Sequence, residues 1–248
     1  MFWSPGMFAS GSTWVFNVAL QLAPILHPAR RPDARFVKYP HQLGPLDDPA
    51  LLPIIKSHDT DETLVAPLTR HAEAILISIR DPRDCVASLM LYQRLGFDLA
   101  LAWTEDSARF CARFVTHPRA LLLRYETGFI DDPATLDRIA ARCGGALTPA
   151  DSERIFAATR RPSVEAHIAR LDALPSAVRA SPHDIFDPAT QWHRHHAGRT
   201  GEIGRWRHAL TPRQVAAIEQ RMQDWMASFG YPAEVAPYRL TIGSLTTL

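Results

Sequence analysis

The sequence predicts an α/β protein in three layers (helix, sheet, helix) built on a central, mainly parallel sheet. Two observations carry this. Short apolar runs of strand length occur at residues 2–8, 52–58, 74–80 and 121–125. Stretches with helical spacing of apolar residues lie between and after them. Strands that alternate with helices pair in parallel and are covered on both faces. With 248 residues, 46% of them hydrophobic, the chain is long enough for one buried core, and a single domain over 1–248 is expected.

The elements follow in order. Residues 2–8 read as a strand weakened by Pro5 and Gly6, running into the small-residue turn Ala9-Ser10-Gly11-Ser12-Thr13. Trp14, Val15, Val18, Ala19 and Leu22 then recur at helical spacing as far as Pro24. Residues 52–58 and 74–80 read as buried strands, the second with stronger β character. Asp81-Pro82 supplies an N-cap and a first-turn proline for a helix through Val86, Leu89, Met90 and Gln93. Further helices are expected over 100–115, 133–142, 149–158 and 164–174, with a strand at 121–125. Residues 175–204, rich in Pro, His and Gly, read as irregular and as a flexible flap over substrate or cofactor. An amphipathic helix over 212–229, capped by Thr211 and stopped by Gly230, closes the pattern.

Charge excludes several functions. Lys plus Arg number 27 against 26 Asp plus Glu, so no global field draws in nucleic acid or an anionic membrane. No run of about 18 apolar residues and no basic leader with an apolar run are present, so neither a membrane span nor a signal peptide is expected. Cys85, Cys111 and Cys143 are an odd count in no metal-ligand spacing, which fits reduced thiols and a cytoplasmic location. Only Lys38 and Lys56 are lysines, every other basic residue being arginine, which singles out Lys56 as a compact ammonium at a strand end.

Gly6-Met7-Phe8-Ala9-Ser10-Gly11-Ser12-Thr13 has the spacing of a nucleotide P-loop, with Ser12 where the lysine belongs. Small residues between strand and helix let backbone N–H groups turn toward an anion, and the helix dipole adds to them. Phosphate binding therefore survives the substitution, and a P-loop NTPase-like sheet is expected. An ordinary strand-to-helix turn of Ala, Ser and Gly has the same composition.

Four further segments stand in order behind this loop: Ile55-Lys56-Ser57-His58, Ile79-Arg80-Asp81-Pro82-Arg83-Asp84-Cys85-Val86-Ala87-Ser88, Arg124-Tyr125-Glu126, and Gly198-Arg199-Thr200-Gly201-Glu202-Ile203-Gly204-Arg205-Trp206. Together they resemble the sulfotransferases that use 3′-phosphoadenosine 5′-phosphosulfate (PAPS) and release adenosine 3′,5′-bisphosphate. The resemblance runs from residue 9 to about residue 229. It implies a 5′-phosphosulfate loop on the backbone of Ala9, Ser10, Gly11, Ser12 and Thr13, with the hydroxyls of the last two, and Trp14 stacked on adenine. It implies Arg80 and Ser88 on the 3′-phosphate, closed over by Arg199, Thr200 and the Gly201 backbone, and Tyr125 near the adenosine. The residues alone also allow Trp14 and Tyr125 as packing residues, Arg80 as a partner of Asp84, and Ser88 as a solvated helix serine.

The resemblance further implies Lys56 on the transferring group and His58 as general base for in-line transfer to a hydroxyl or amine of a small-molecule acceptor. The chemistry suits the residues. Positions i and i+2 of a strand share a face, and an imidazole is matched to proton transfer near neutrality. The loop lysine of many relatives falls at Ala9. A P-loop small-molecule kinase, or a catalytically impaired nucleotide-binding module, are the competing readings. No metal is expected, because His193-Arg194-His195-His196 has no carboxylate or cysteine in a recognisable spacing. Asp47-Asp48 and Asp131-Asp132 read as turn and cap residues. Tyr92, Phe97, Trp103, Phe110, Phe186 and Trp192 point to a partly hydrophobic acceptor or to core packing, and the last helix fits a monomer or a homodimer.

Overall fold

Strands buried on both faces are written as near-continuous apolar runs, and two such runs, at 51–55 and 74–79, flank a short central strand at 2–5. The computed structural model describes residues 1–58, 61–181, 184–196 and 201–234. In chain order the elements begin with β1 (Phe2–Pro5), α1 (Ser12–Leu26), β2 (Arg31–Phe36), β3 (Leu51–Ser57), α2 (Glu62–His71), β4 (Ala74–Ile79), α3 (Pro82–Tyr92), α4 (Phe97–Ala112) and β5 (Ala120–Arg124). They continue with α5 (Ala134–Arg142), α6 (Pro149–Thr159), α7 (Arg161–Ile168), β6 (Val178–Ser181), β7 (Asp184–Asp187), β8 (Trp192–His193), α8 (Trp206–Ala209), α9 (Pro212–Arg221) and α10 (Gln223–Ser228).

The main sheet has the order β2-β3-β1-β4-β5, with every pair parallel. Successive residues alternate between its faces. Phe2, Leu52, Ile54, Ala74 and Leu76 pack with α1, α5 and α6, while Trp3, Ile55, Ile75 and Ile77 pack with α2, α3, α4, α9 and α10. This is the three-layer arrangement expected from the sequence.

The edge strand β2, Arg-Pro-Asp-Ala-Arg-Phe, was not expected. It lacks an apolar run because only one side of it is paired, and its proline and charges suit a sheet edge. The helix α2 was likewise not expected; Asp61 caps it by accepting from the Thr63 N–H. Helix α1 continues past Pro24 by two residues, so the bond and packing that a helix proline disrupts fall in its last turn. The expected helix over 212–229 is two, α9 and α10, with Met222 leaving helical geometry at φ −111° and ψ 16°.

Residues 178–193, expected to be irregular, carry a three-stranded antiparallel sheet in the order β6-β7-β8. A satellite core of Val164, Ile168, Leu171 and Ile185 lies beneath it. Asn17 of α1 fastens it to the main body by donating to the Thr190 carbonyl at 2.7 Å. All three cysteines are buried and free, and burial pushes their thiols up. No helix of the described residues is long and apolar enough to cross a membrane.

Candidate active site

Because all five main strands are parallel, their C-terminal ends share one edge of the sheet. The chain leaves β1 for β2 and β3 on one side and later for β4 and β5 on the other, and the crevice at such a reversal is where α/β sheets bind ligands. Four of the five predicted motifs follow the ends of these strands, and the fifth, residues 198–206, comes after the small sheet. The loop follows β1, Lys56 and His58 lie at the end of β3, Arg80 follows β4, and Tyr125 follows β5.

The β1–α1 loop is shaped by two glycines. A Cβ on Gly6 would meet Ser78 Oγ and come within 2.7 Å of Ser12 Cβ, so only glycine lets the chain run against β4 here. Gly11 stands at φ +84°, and a Cβ there would lie 3.1 Å from Phe129 and Ile130. Ala9 also has a positive φ, 59°. No side chain caps α1 and its first turn holds no acidic residue, which leaves N–H groups and the dipole facing outward. Ser10 is turned inward, its hydroxyl 2.7 Å from both the Met7 carbonyl and Ser78 Oγ. It holds the loop in shape.

A cavity of about 540 Å³ opens at this edge. Ala9, Gly11, Ser12, Thr13, Trp14, Lys56, His58, Arg80, Ser88, Tyr125 and Gly201 all line it. The structure thus brings together, from five distant segments, the predicted residues other than Ser10, Arg199 and Thr200, the last two lying outside the described residues. Arg94 and Arg161, which the sequence reading passed over, line it too. Four fixed or compact cations, Lys56, Arg80, Arg94 and Arg161, therefore face two carboxylates, Glu165 and Asp184, so the cavity favours a polyanion although the whole chain is nearly neutral.

Arg80 is 2% exposed. Its guanidinium donates to the carbonyls of Ala9 at 3.1 Å and Glu202 at 2.6 Å, lies 3.4 Å from Asp84 Oδ2, and stacks on the Tyr125 ring at 4.4 Å from the centroid. Its Nε is buried without a hydrogen-bond partner among the described residues. The Asp84 pairing and the cavity position, alternatives on sequence grounds, hold together. Asp84 also accepts from the N–H groups of Gly204 at 2.8 Å and Trp206 at 3.1 Å, anchoring the last motif beside Arg80. Tyr125 donates to the Gly201 carbonyl at 3.2 Å, whereas its neighbours Arg124 and Glu126 bind the Phe229 carbonyl and the Tyr231 hydroxyl and serve packing. The Trp14 indole N–H donates to the Thr159 carbonyl at 3.0 Å, which fixes one edge of the ring in the cavity wall.

Lys56 is 6% exposed, and among the described residues it has no ion pair or hydrogen bond, only the Phe36 ring 5.4 Å from its Nζ. Burial pushes its pKa down to about 8. His58 stacks on Phe8 with centroids 4.7 Å apart, and its Nδ1 lies 2.7 Å from the Gly6 carbonyl. A carbonyl only accepts, so Nδ1 carries the proton and Nε2 keeps its lone pair. Burial, and then the Lys56 charge, push the His58 pKa down to about 3.

The expected turn carboxylates are such: Asp48 accepts from the Ala50 N–H and Asp132 from the Ala134 N–H. Of the aromatic candidates, Tyr92 and Trp192 line the cavity and Phe110 is core. Sequence reading missed a carboxylate: Asp184 joins the His193–His196 run in the cavity wall, its Oδ2 2.6 Å from His193 Nδ1.

No protein-family profile matches the chain, and no curated protein does. Solved structures do. Mouse sulfotransferase SULT7A1 complexed with PAP superposes with a TM-score of 0.63 at 17% identity, over 91% of this chain and 84% of that one. Retinol dehydratase with retinol and PAP gives 0.62 at 14%, and with androsterone and inactive cofactor PAP 0.65 at 15%, each over 91% of this chain and 80% of that one. With its strands in this order and its motifs at one sheet edge, the chain has the fold of the PAPS-dependent sulfotransferases.

Proposed function

We propose that this chain is a sulfotransferase that moves a sulfuryl group from PAPS to a hydroxyl or amine of a small-molecule acceptor. The observation that carries the reading is Lys56, a buried ammonium with no counter-ion among the described residues, in one cavity with the uncapped α1 loop and Arg80. A buried unpaired charge is unfavourable unless a ligand completes it. The orphaned Nε of Arg80 makes the same demand. PAPS, when bound, supplies the activated sulfuryl group. The residues present fit it: the N–H groups of the 9–13 loop with the hydroxyls of Ser12 and Thr13 would hold a 5′-phosphosulfate, Arg80 and Ser88 a 3′-phosphate, and Trp14 the base.

The protein then has little to do beyond placing charge and moving one proton. His58 Nε2 takes the proton from the acceptor hydroxyl or amine as the new bond to sulfur forms, and the Gly6 carbonyl holds the ring in the tautomer that allows it. Lys56 opposes the charge that develops where the old bond breaks, in place of the loop lysine that Ala9 lacks. Burial is the larger cause of the low His58 pKa and the Lys56 charge the second, so an anion set against Lys56 removes that second part and raises the basicity of His58. Phe8, Phe36, Tyr92 and Trp192 give the cavity apolar walls suited to a partly hydrophobic acceptor.

Calorimetric binding of adenosine 3′,5′-bisphosphate, 5′-AMP and Mg-ATP tests the reading. The bisphosphate is expected to bind at least tenfold more tightly than either, about 1.4 kcal/mol. Preference for Mg-ATP would make the protein a kinase instead.

A further inference from the structure

We propose that Asp184, His193 and His195 form a binding site for a divalent first-row transition cation of the zinc class, opening into the same cavity. In sequence the histidines have no carboxylate at a usable spacing. The fold supplies one, because β7 and β8 are antiparallel and pair Phe186 with His193, which brings the start of β7 back beside the turn that follows β8. Asp184 Oδ2 lies 2.6 Å from His193 Nδ1 and Oδ1 3.4 Å from His195 Nδ1. One donor atom from each of the three lies within 4.8 Å of the others, the one such group among the described residues.

Those separations are near what a cation requires. Tetrahedral bonds of about 2.1 Å place neighbouring donor atoms about 3.4 Å apart. A small outward shift of the His193 edge makes room for the ion. The surroundings hold the donors in place. Phe186 stacks flat on His193 at 4.8 Å and 13°, and the His193 backbone N–H donates to His196 Nδ1 at 3.0 Å, pinning the turn. Arg194, the one cation of the run, is directed away to Asp172 at 2.6 Å.

Two imidazoles with one carboxylate select a borderline transition ion over magnesium or calcium, which prefer oxygen donors. Three protein ligands also leave coordination positions open, the pattern of catalytic rather than structural zinc. All three residues line the cavity that holds Lys56 and His58, so an open position faces it and takes a water or an acceptor oxygen. That last use rests on the transfer reading above; cation binding does not.

The test uses the untagged full chain, stripped with a chelator and titrated with Zn²⁺ by calorimetry and with Co²⁺ by visible absorption. One ion per chain is expected, with no competition from millimolar Mg²⁺. Asp184→Asn and His195→Ala should each weaken binding by about 100-fold or more, while His208→Ala, on the exposed surface, leaves it unchanged. Circular dichroism checks that the variants are folded. Should they not fold, X-ray absorption at the zinc edge of the wild-type chain decides: a shell of two imidazoles and a carboxylate supports the site. Failure of the wild-type chain to bind one equivalent at 100-fold lower concentration than nonspecific surface sites require, or a shell without imidazole, overturns it. Bisphosphate binding is measured on the same stripped protein, so loss of the donor site and absence of the metal site are read separately.

Discussion

At the scale of single residues, Lys56 and His58 have their protonation set by where they are buried. The pKa of Lys56 is pushed down to about 8 from 10.5, so above pH 8 the unfolded chain holds a proton that the folded one has released. Stability therefore rises between about pH 8 and 10.5, and below pH 8 the full penalty of the buried charge is present. Lys56→Met should remove that slope and raise stability near neutrality by on the order of 2 kcal/mol. The same variant should lose most bisphosphate affinity, which calorimetry on the folded protein would show; unchanged affinity would dissociate Lys56 from the donor. His58, lowered from 6.5 to about 3, is neutral throughout the physiological range. Its share of stability is lost as pH falls from about 6.5 toward 3, and kcat/KM should be flat from pH 5.5 to 7 as far as this group decides it. His58→Asn should lower kcat by about 10²–10⁴-fold with bisphosphate affinity kept within about threefold. A variant that transfers at the wild-type rate would place the base elsewhere.

At the scale of elements, the site depends on how α3 holds the segment 201–206. Asp84, one turn into α3, receives two backbone N–H groups of that segment and pairs with Arg80. Asp84→Asn keeps the shape but gives up the charge and one acceptor, so bisphosphate affinity should fall about tenfold, since charged hydrogen bonds contribute about 1.5–3 kcal/mol. Equal affinity in calorimetry would mean that the segment is held by other contacts. Legibility in the sequence divides along the same lines. β3 and β4 were readable because burial on both faces writes them as apolar runs, β1 more weakly because Pro5 and Gly6 interrupt it, and the Asp81-Pro82 start of α3 because its cap is local chemistry. β2 and the small sheet were not, since β2 is an edge with charged residues, β6 is exposed throughout and β8 has two residues. The motif residues of the first four segments could be named because each segment stands at a strand end, and Gly201 because of the motif around it. Asp184, Arg94 and Arg161 could not, because only tertiary pairing carries them to the cavity.

At the scale of the whole molecule, one arrangement, strands of a single direction ending at one edge, gathers residues 9 to 201 into one cavity on a chain without net field. The same arrangement governs the order of assembly in time. β1 precedes both of its neighbours, and Phe2 must wait for Ile54 and Ala74 before it is paired on either side. Sheets dominated by such distant pairings close slowly, since the loop entropy is lost before the contacts reward it. Synthesis thus delivers the anion loop early and its partners late: Arg80 arrives with β4, Tyr125 after β5, and the Asp84-held segment last of the three. On the proposed reading, a nascent chain has the loop but no donor site until the segment 201–206 has been made.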